Sequence, residues 1–171
     1  HYRTVLDADP DDRPLPRVAV LVPAWNEAPV LRFSVDRMMA LDYPPDRLRV
    51  AVVDDASTDE TPELLGAKQA QYPGRVLNLR RDQGGQGKAH TLNHGLERIL
   101  EDDWAEAVLI TDADVVFTPD AIRRMVHFPD RFLRGGKLFR GADPGGEDIA
   151  DVREAEIDRR VRDLLDLVQL S

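Results

Sequence analysis

Apolar residues run through this chain in short blocks with two different periods, divided by turns rich in proline, glycine and aspartate. Val18-Ala19-Val20-Leu21-Val22 is apolar on both faces, as a strand covered by helices on either side of a parallel sheet must be. Pro23 ends it, and residues 28–41 switch to helical spacing, with Val30, Leu31, Val35, Met38 and Met39 on one side. Tyr43-Pro44-Pro45 stops that helix. A second strand over 48–53 runs into Asp54-Asp55, and a helix begins near Thr61-Pro62, where proline suits the first turn. A short third strand over 76–79 precedes the loop Gln83-Gly84-Gly85-Gln86-Gly87-Lys88 and a helix over 89–99. Residues 108–116 read as a fourth, buried strand carrying a charged tip, followed by a helix from 119 to about 126. Strands alternating with helices over short links predict an α/β fold, an open and mostly parallel Rossmann-like sheet with flanking helices.

This pattern covers residues 17–128, the expected domain. Residues 1–16 are rich in proline and aspartate without periodicity and read as a linker or extended arm, as though the sequence began partway into a larger protein. Residues 129–148 read as an irregular loop in which Lys137-Leu138-Phe139 alone looks strand-like. Residues 149–171 form an expected amphipathic helix with Ile157, Val161, Leu164, Leu165 and Val168 in one stripe. Acids outnumber arginines around that stripe, so an anionic membrane surface would repel it.

Composition narrows the function classes. With 42% hydrophobic and 32% charged residues over 171 positions, the chain can build a core and is not expected to be disordered. A net charge of -9 argues against a general nucleic-acid binder, which needs lysine and arginine to neutralise phosphates. No apolar segment is long enough to span a bilayer, and no signal peptide is seen. The absence of cysteine excludes disulfides and thiolate metal sites. The expected location is therefore the cytoplasm, or the cytoplasmic side of an inner-membrane protein.

The candidate chemistry lies at the carboxyl ends of the strands, where open α/β sheets bind ligands. Asp54-Asp55 and the Asp112-Ala113-Asp114 pair fall there, and Glu27 lies just beyond the first strand. Aspartates are depleted in strands, so acids gathered at one edge need a reason. A pair one residue apart can hold a hard divalent cation and leave positions for substrate phosphates, although a turn would also accept aspartates. The glycine loop fits neither a P-loop, since position 82 is Asp, nor a dinucleotide fingerprint, since the last position is His90. What remains is free backbone N–H groups, a helix N-terminus and Lys88, a combination suited to a diphosphate. His90 and His94 have the i, i+4 spacing of a zinc pair but no third ligand, so local packing is the expected role.

The segments VAVLVPAWNE, VAVVDDASTDET, GGQGKAHTLNHGL and VLITDADVVFTPDAI, in that order and spacing, resemble glycosyltransferase family 2. The resemblance implies the nucleotide-sugar-binding portion of an inverting GT-A domain, incomplete at its acceptor half. On that likeness Pro23, Ala24 and Glu27 would line the nucleoside pocket. Asp55 would hydrogen-bond the base, typically uracil, with Asp54 beside it, and Lys88 would approach the diphosphate. Asp112 and Asp114 would hold Mg2+ or Mn2+ against the diphosphate as the catalytic D-x-D. The implied partners are a UDP-sugar donor and a sugar or lipid-linked acceptor, as in polysaccharide synthesis, with membrane helices in the full-length protein of many such synthases. The family's downstream acidic base has no counterpart except Glu147-Asp148, which sits too close to the D-x-D and suits a helix start, so Asp148 is a weak candidate. The motif Gln-x-x-Arg-Trp of processive synthases is missing. Two other readings remain: a nucleotide-sugar-binding or regulatory module without catalysis, and a nucleotidyltransferase. The latter is disfavoured because no arginine- and glycine-rich loop follows the first strand.

Overall fold

A computed structural model describes residues 15–127 and 137–140. The element order is β1 (Val18–Ala24), α1 (Ala28–Met39), β2 (Leu48–Asp54), α2 (Thr61–Gln71), β3 (Val76–Arg80), α3 (Lys88–Glu101), β4 (Ala107–Ile110), α4 (Ala121–His127) and β5 (Lys137–Arg140). The expected arm over most of 1–16, the helix over 149–171 and Asp148 lie outside the described residues.

The strands form one sheet in the order β3-β2-β1-β4-β5. The first four are parallel, and β5 runs antiparallel to β4 at the edge. This is the open, mostly parallel α/β sheet that the alternating pattern predicts. Side-chain parity along β1 divides the core in two. Val18, Val20 and Val22 pack with Leu31, Val35 and Met38 of α1, Leu65 of α2 and Ile122 of α4. Ala19 and Leu21, with Ala51 and Val53 of β2, pack beneath Leu92, Leu96 and Ile99 of α3. Each β1 residue thus faces a helix layer, which is why no polar residue interrupts that strand.

Helix α3 lies unusually close to the sheet because of Gly95. A Cβ built there would fall 2.5 Å from Leu21 Cδ1 and 2.6 Å from Val53 Cγ2. The missing side chain lets the helix N-terminus settle at the carboxyl edge of β1 and β2, where the candidate acids lie.

The stretch 108–116 differs from the strand expected of it. Thr111 N still donates to Leu21 O at 3.1 Å, but regular pairing stops at Ile110 and residues 112–115 turn, with Val115 N reaching Asp112 O at 3.4 Å. Val116 is left exposed. Val115 and Val116 lie past Ile110, the last residue of β4 in register with β1, so propensity alone does not prolong the strand. None of the described helices is long and apolar enough to cross a membrane.

Candidate functional site

Three loops meet at the carboxyl edge of the sheet. The first, between β1 and α1, contains Trp25, Asn26 and Glu27. Asn26 adopts φ 55°, a left-handed conformation that asparagine tolerates better than most residues. Its side chain explains the turn: Asn26 Oδ1 accepts from Thr58 N at 2.8 Å and Asp59 N at 3.3 Å, while Asn26 N donates to Ser57 Oγ at 2.9 Å. Glu27 N donates to Thr61 Oγ1 at 3.1 Å. The β1–α1 turn is therefore laced to the β2–α2 loop, and both are held in fixed relation to the sheet.

The second loop separates the two adjacent aspartates by function. Asp54 is fully buried. Its Oδ1 accepts from Ser57 N at 2.8 Å, and its Oδ2 pairs with Arg80, the residue opposite it in the β2–β3 register. Arg80 Nη2 also donates to Ser57 O at 3.1 Å. Asp54 shapes the turn and is not among the residues lining the cleft. Asp55 does line it. Its backbone N–H donates to Ala24 O at 2.9 Å, and its carboxylate accepts from Arg81 and from Gly85 N at 3.1 Å. Ala56 follows at φ 56°, a conformation that costs a non-glycine residue about 1 kcal/mol and is held by the Ser57–Asp54 bond.

The glycine loop and α3 form the third side. Gly84 passes so close to the second loop that a Cβ on it would sit 2.2 Å from Asp55 O. Gly85 and Gly87 have φ of 80° and 93°, positions where side chains are strained. Gly87 precedes α3 without any side-chain cap, leaving the helix N-terminus to present its N–H groups and positive dipole end. Lys88, the first helical residue, extends its ammonium to Asp112 Oδ1 at 2.5 Å. Both side chains are half exposed.

The result is a cleft of about 430 Å³ between these loops and the end of β4, lined by Pro23, Ala24, Trp25, Glu27, Asp55, Gly85, Gly87, Lys88, Thr91 and Asp112. Of the residues expected from sequence, Pro23, Ala24, Glu27, Asp55, Lys88 and Asp112 come together here. Asp114 is exposed beside it and does not line it, but its charge reaches the same corner. The Glu27 carboxyl is pushed above its ordinary range, first by burial and then by the charges of Asp114 and Asp112, against a smaller opposing pull from Lys88. Among the described residues no three or more histidine, aspartate or glutamate side chains cluster as a ready metal cage. Asp112 and Asp114 fit a hard cation differently, as two exposed oxygen donors whose remaining partners would be ligand phosphates and water.

Sequence reasoning passed over two contributors. Trp25 is 62% exposed and faces the cleft; a tryptophan in a two-element turn is its signal, since large aromatics are usually well covered. Arg81 sits behind the cleft wall and pairs with Asp55, and its role depends on a register that no local pattern reveals.

The family model for Glycosyl transferase family 2 matches residues 19–132. The beta-monoglucosyldiacylglycerol synthase of Synechocystis sp. is 37% identical over 125 residues, which are 72% of this chain and 25% of that protein. The chain therefore spans about a quarter of that relative's length. Among solved structures, a mannosyltransferase from Pyrobaculum calidifontis in complex with GDP-Man and Mn2+ superposes with TM-score 0.59 at 35% identity, covering 73% of this chain and 36% of that one. S. aureus TarS in complex with UDP-GlcNAc superposes with TM-score 0.58 at 22% identity over 67% of this chain and 31% of its own, a likeness of fold.

Proposed function

Because the chain belongs to glycosyl transferase family 2, we propose that its cleft takes the nucleoside diphosphate sugar donor of an inverting, metal-assisted glycosyl transfer, with a UDP-sugar as donor. The observation that carries this reading is convergence: Glu27, Asp55 and Asp112, from three separate segments, line one cleft with Lys88 and two glycines of the loop. A corner with this many acids would repel a bare diphosphate. It suits one that arrives with a cation, and Asp112 and Asp114 offer exposed oxygens to a hard ion. Bound there, Mg2+ or Mn2+ would supply Lewis-acid stabilisation of the departing diphosphate.

The chain's own residues have the following roles in this proposal. Lys88 pairs with Asp112, and its half-exposed ammonium is within reach of a diphosphate held at that carboxylate. The uncapped start of α3 adds N–H donors and a favourable dipole beside it. At the other end of the cleft Asp55 accepts an N–H from the base, Pro23 and Ala24 line the nucleoside pocket, and Trp25 offers an aromatic face to a planar ring or sugar. Asp54 acts from behind, through the turn that presents Asp55. An inverting transfer also needs a carboxylate to activate the acceptor hydroxyl, and none of these residues is assigned that role. The acceptor in this reading is a sugar or a lipid-linked one; the name of the Synechocystis relative, a beta-monoglucosyldiacylglycerol synthase, favours a lipid.

The Pyrobaculum neighbour's GDP-Man favours a second reading, in which the base is guanine. Presenting the chain with UDP-glucose, UDP-GlcNAc and GDP-mannose, with Mn2+ or with EDTA, separates the possibilities. The expected result is slow, Mn2+-dependent release of UDP from a UDP-sugar and none in EDTA. Release of GDP alone would favour the second reading. Tight binding with no release from any donor would favour a non-catalytic binding module.

A further inference from the structure

The Asp55–Arg81 pair does more than neutralise a carboxylate. Both side chains are nearly buried, at 11% and 10% exposure. Arg81 is fixed at its backbone, where its N–H donates to Asp54 O at 2.9 Å. From there its guanidinium reaches three acceptors on three segments: Asp55 Oδ1 after β2, Gln86 Oε1 in the glycine loop and Thr91 Oγ1 in α3, the last at 3.4 Å. The other oxygen of Asp55 accepts from Gly85 N at 3.1 Å. The loop from 84 to 87 is thus held at Gly85 by Asp55 and at Gln86 by Arg81, and these two anchors are themselves paired. A planar fork with several fixed donors can do this, whereas an ammonium on a flexible stem cannot hold several acceptors in one geometry.

We infer that Arg81 is a positioning residue that sets the shape of the glycine loop against Asp55, so that the base-binding and diphosphate-binding ends of the cleft are built as one unit. Two observations support this beyond the pair itself. Gly85 and Gly87 have positive φ, so the loop has many alternative conformations to lose and needs an external hold. Gly84 lies against the Asp55 backbone with no room for a Cβ, so the loop's position follows that of Asp55 closely. The inference rests on the donor-site reading for its ligand but not for its geometry, and the test separates the two.

The test compares wild type with Arg81→Met, Arg81→Lys and Gln86→Ala in two measurements: exchange of the Gly85 amide in the ligand-free chain, and affinity for UDP and GDP in Mn2+. Arg81→Met is expected to speed Gly85 exchange and weaken nucleotide binding, each by about 10- to 100-fold, the scale of a lost charged hydrogen bond. Gln86→Ala, at an exposed loop position that leaves the buried pair intact, is expected to move both quantities in the same direction by a few-fold. Arg81→Lys restores the counter-charge but not the fork, so it is expected to leave both defects largely in place. Full rescue by lysine would overturn the inference, because it would reduce Arg81 to a counter-ion for Asp55. Unchanged Gly85 exchange and affinity in Gln86→Ala and Arg81→Lys would also overturn it, even if Arg81→Met fails to fold. If wild type binds neither nucleotide while Arg81→Met and Gln86→Ala still release the Gly85 amide, the bracing role stands and the donor-site reading falls.

Discussion

Replacing Asp112 and Asp114 together by asparagine is expected to abolish metal-promoted nucleotide binding while leaving the fold intact. Both side chains are exposed, so neither contributes a buried contact whose loss would unfold the chain. The double change removes two formal charges but keeps the shape of the turn that Thr111 N and Val115 N define. A hard cation discriminates strongly between carboxylate and amide oxygens, and its stabilisation of a diphosphate is worth several kcal/mol. Loss of both carboxylates should therefore weaken binding in Mn2+ by about a hundredfold or more. Glu27 provides an internal check that needs no metal. Part of the upward push on its carboxyl comes from Asp114 and Asp112, so in the double variant it should titrate lower than in wild type and still above its ordinary range, because burial, the largest cause, remains. Carboxyl titration by NMR measures this. An unmoved Glu27 would mean that the three acids do not share one corner.

The second large effect falls on stability and at a residue that looks harmless. Arg80 is 44% exposed at its side chain, yet its partner Asp54 is fully buried. Arg80→Ala leaves that carboxylate with Ser57 N as its remaining donor among the described residues, at 2.8 Å. Breaking a buried pair from one side typically costs about 3–5 kcal/mol. Solvent near the exposed guanidinium already screens the pair, so the lower end, about 3 kcal/mol, is expected. For a chain of this size that corresponds to a fall in Tm of roughly 6–12 °C. Arg80→Ala combined with Asp54→Ala should be more stable than Arg80→Ala alone, since the stranded charge is gone and the two effects are coupled. Denaturant unfolding of the three variants measures this, and equal or additive losses would show that Asp54 does not depend on Arg80.

These two cases show which parts of the molecule were legible in the sequence. Apolar runs such as Val18 to Val22 and the periodic 28–41 stretch gave the order of strands and helices, because each reports one chain segment against its own layer. The cleft was partly legible for the same reason: residues at strand ends in a parallel sheet share an edge, so Glu27, Asp55 and Asp112 could be placed together before any contact was known. Asp54 and Asp55 could not be told apart by type, but parity separates them. Asp54 follows Val50 and Val52 toward α1 and α2, while Asp55 follows Ala51 and Val53 toward α3 and the glycine loop. Arg80 and Arg81 were invisible because their meaning lies in the pairing of β2 with β3, where Asp54 stands opposite Arg80. The strand expected over 108–116 ran too long because Val115 and Val116 have strand propensity, whereas regular pairing with β1 stops at Ile110. Trp25 was passed over as a turn residue, although its exposure at the cleft makes it a wall of the site.

The central claim is that the cleft binds a nucleoside diphosphate through a divalent cation. Calorimetric titration of the chain with UDP and with GDP, in Mn2+ and again in EDTA, tests it most directly. Saturable one-to-one binding of at least one of them is expected in Mn2+, weakened by about tenfold or more when the cation is removed. Equal affinity with and without the cation, or no binding of either nucleotide at millimolar concentration, would contradict it.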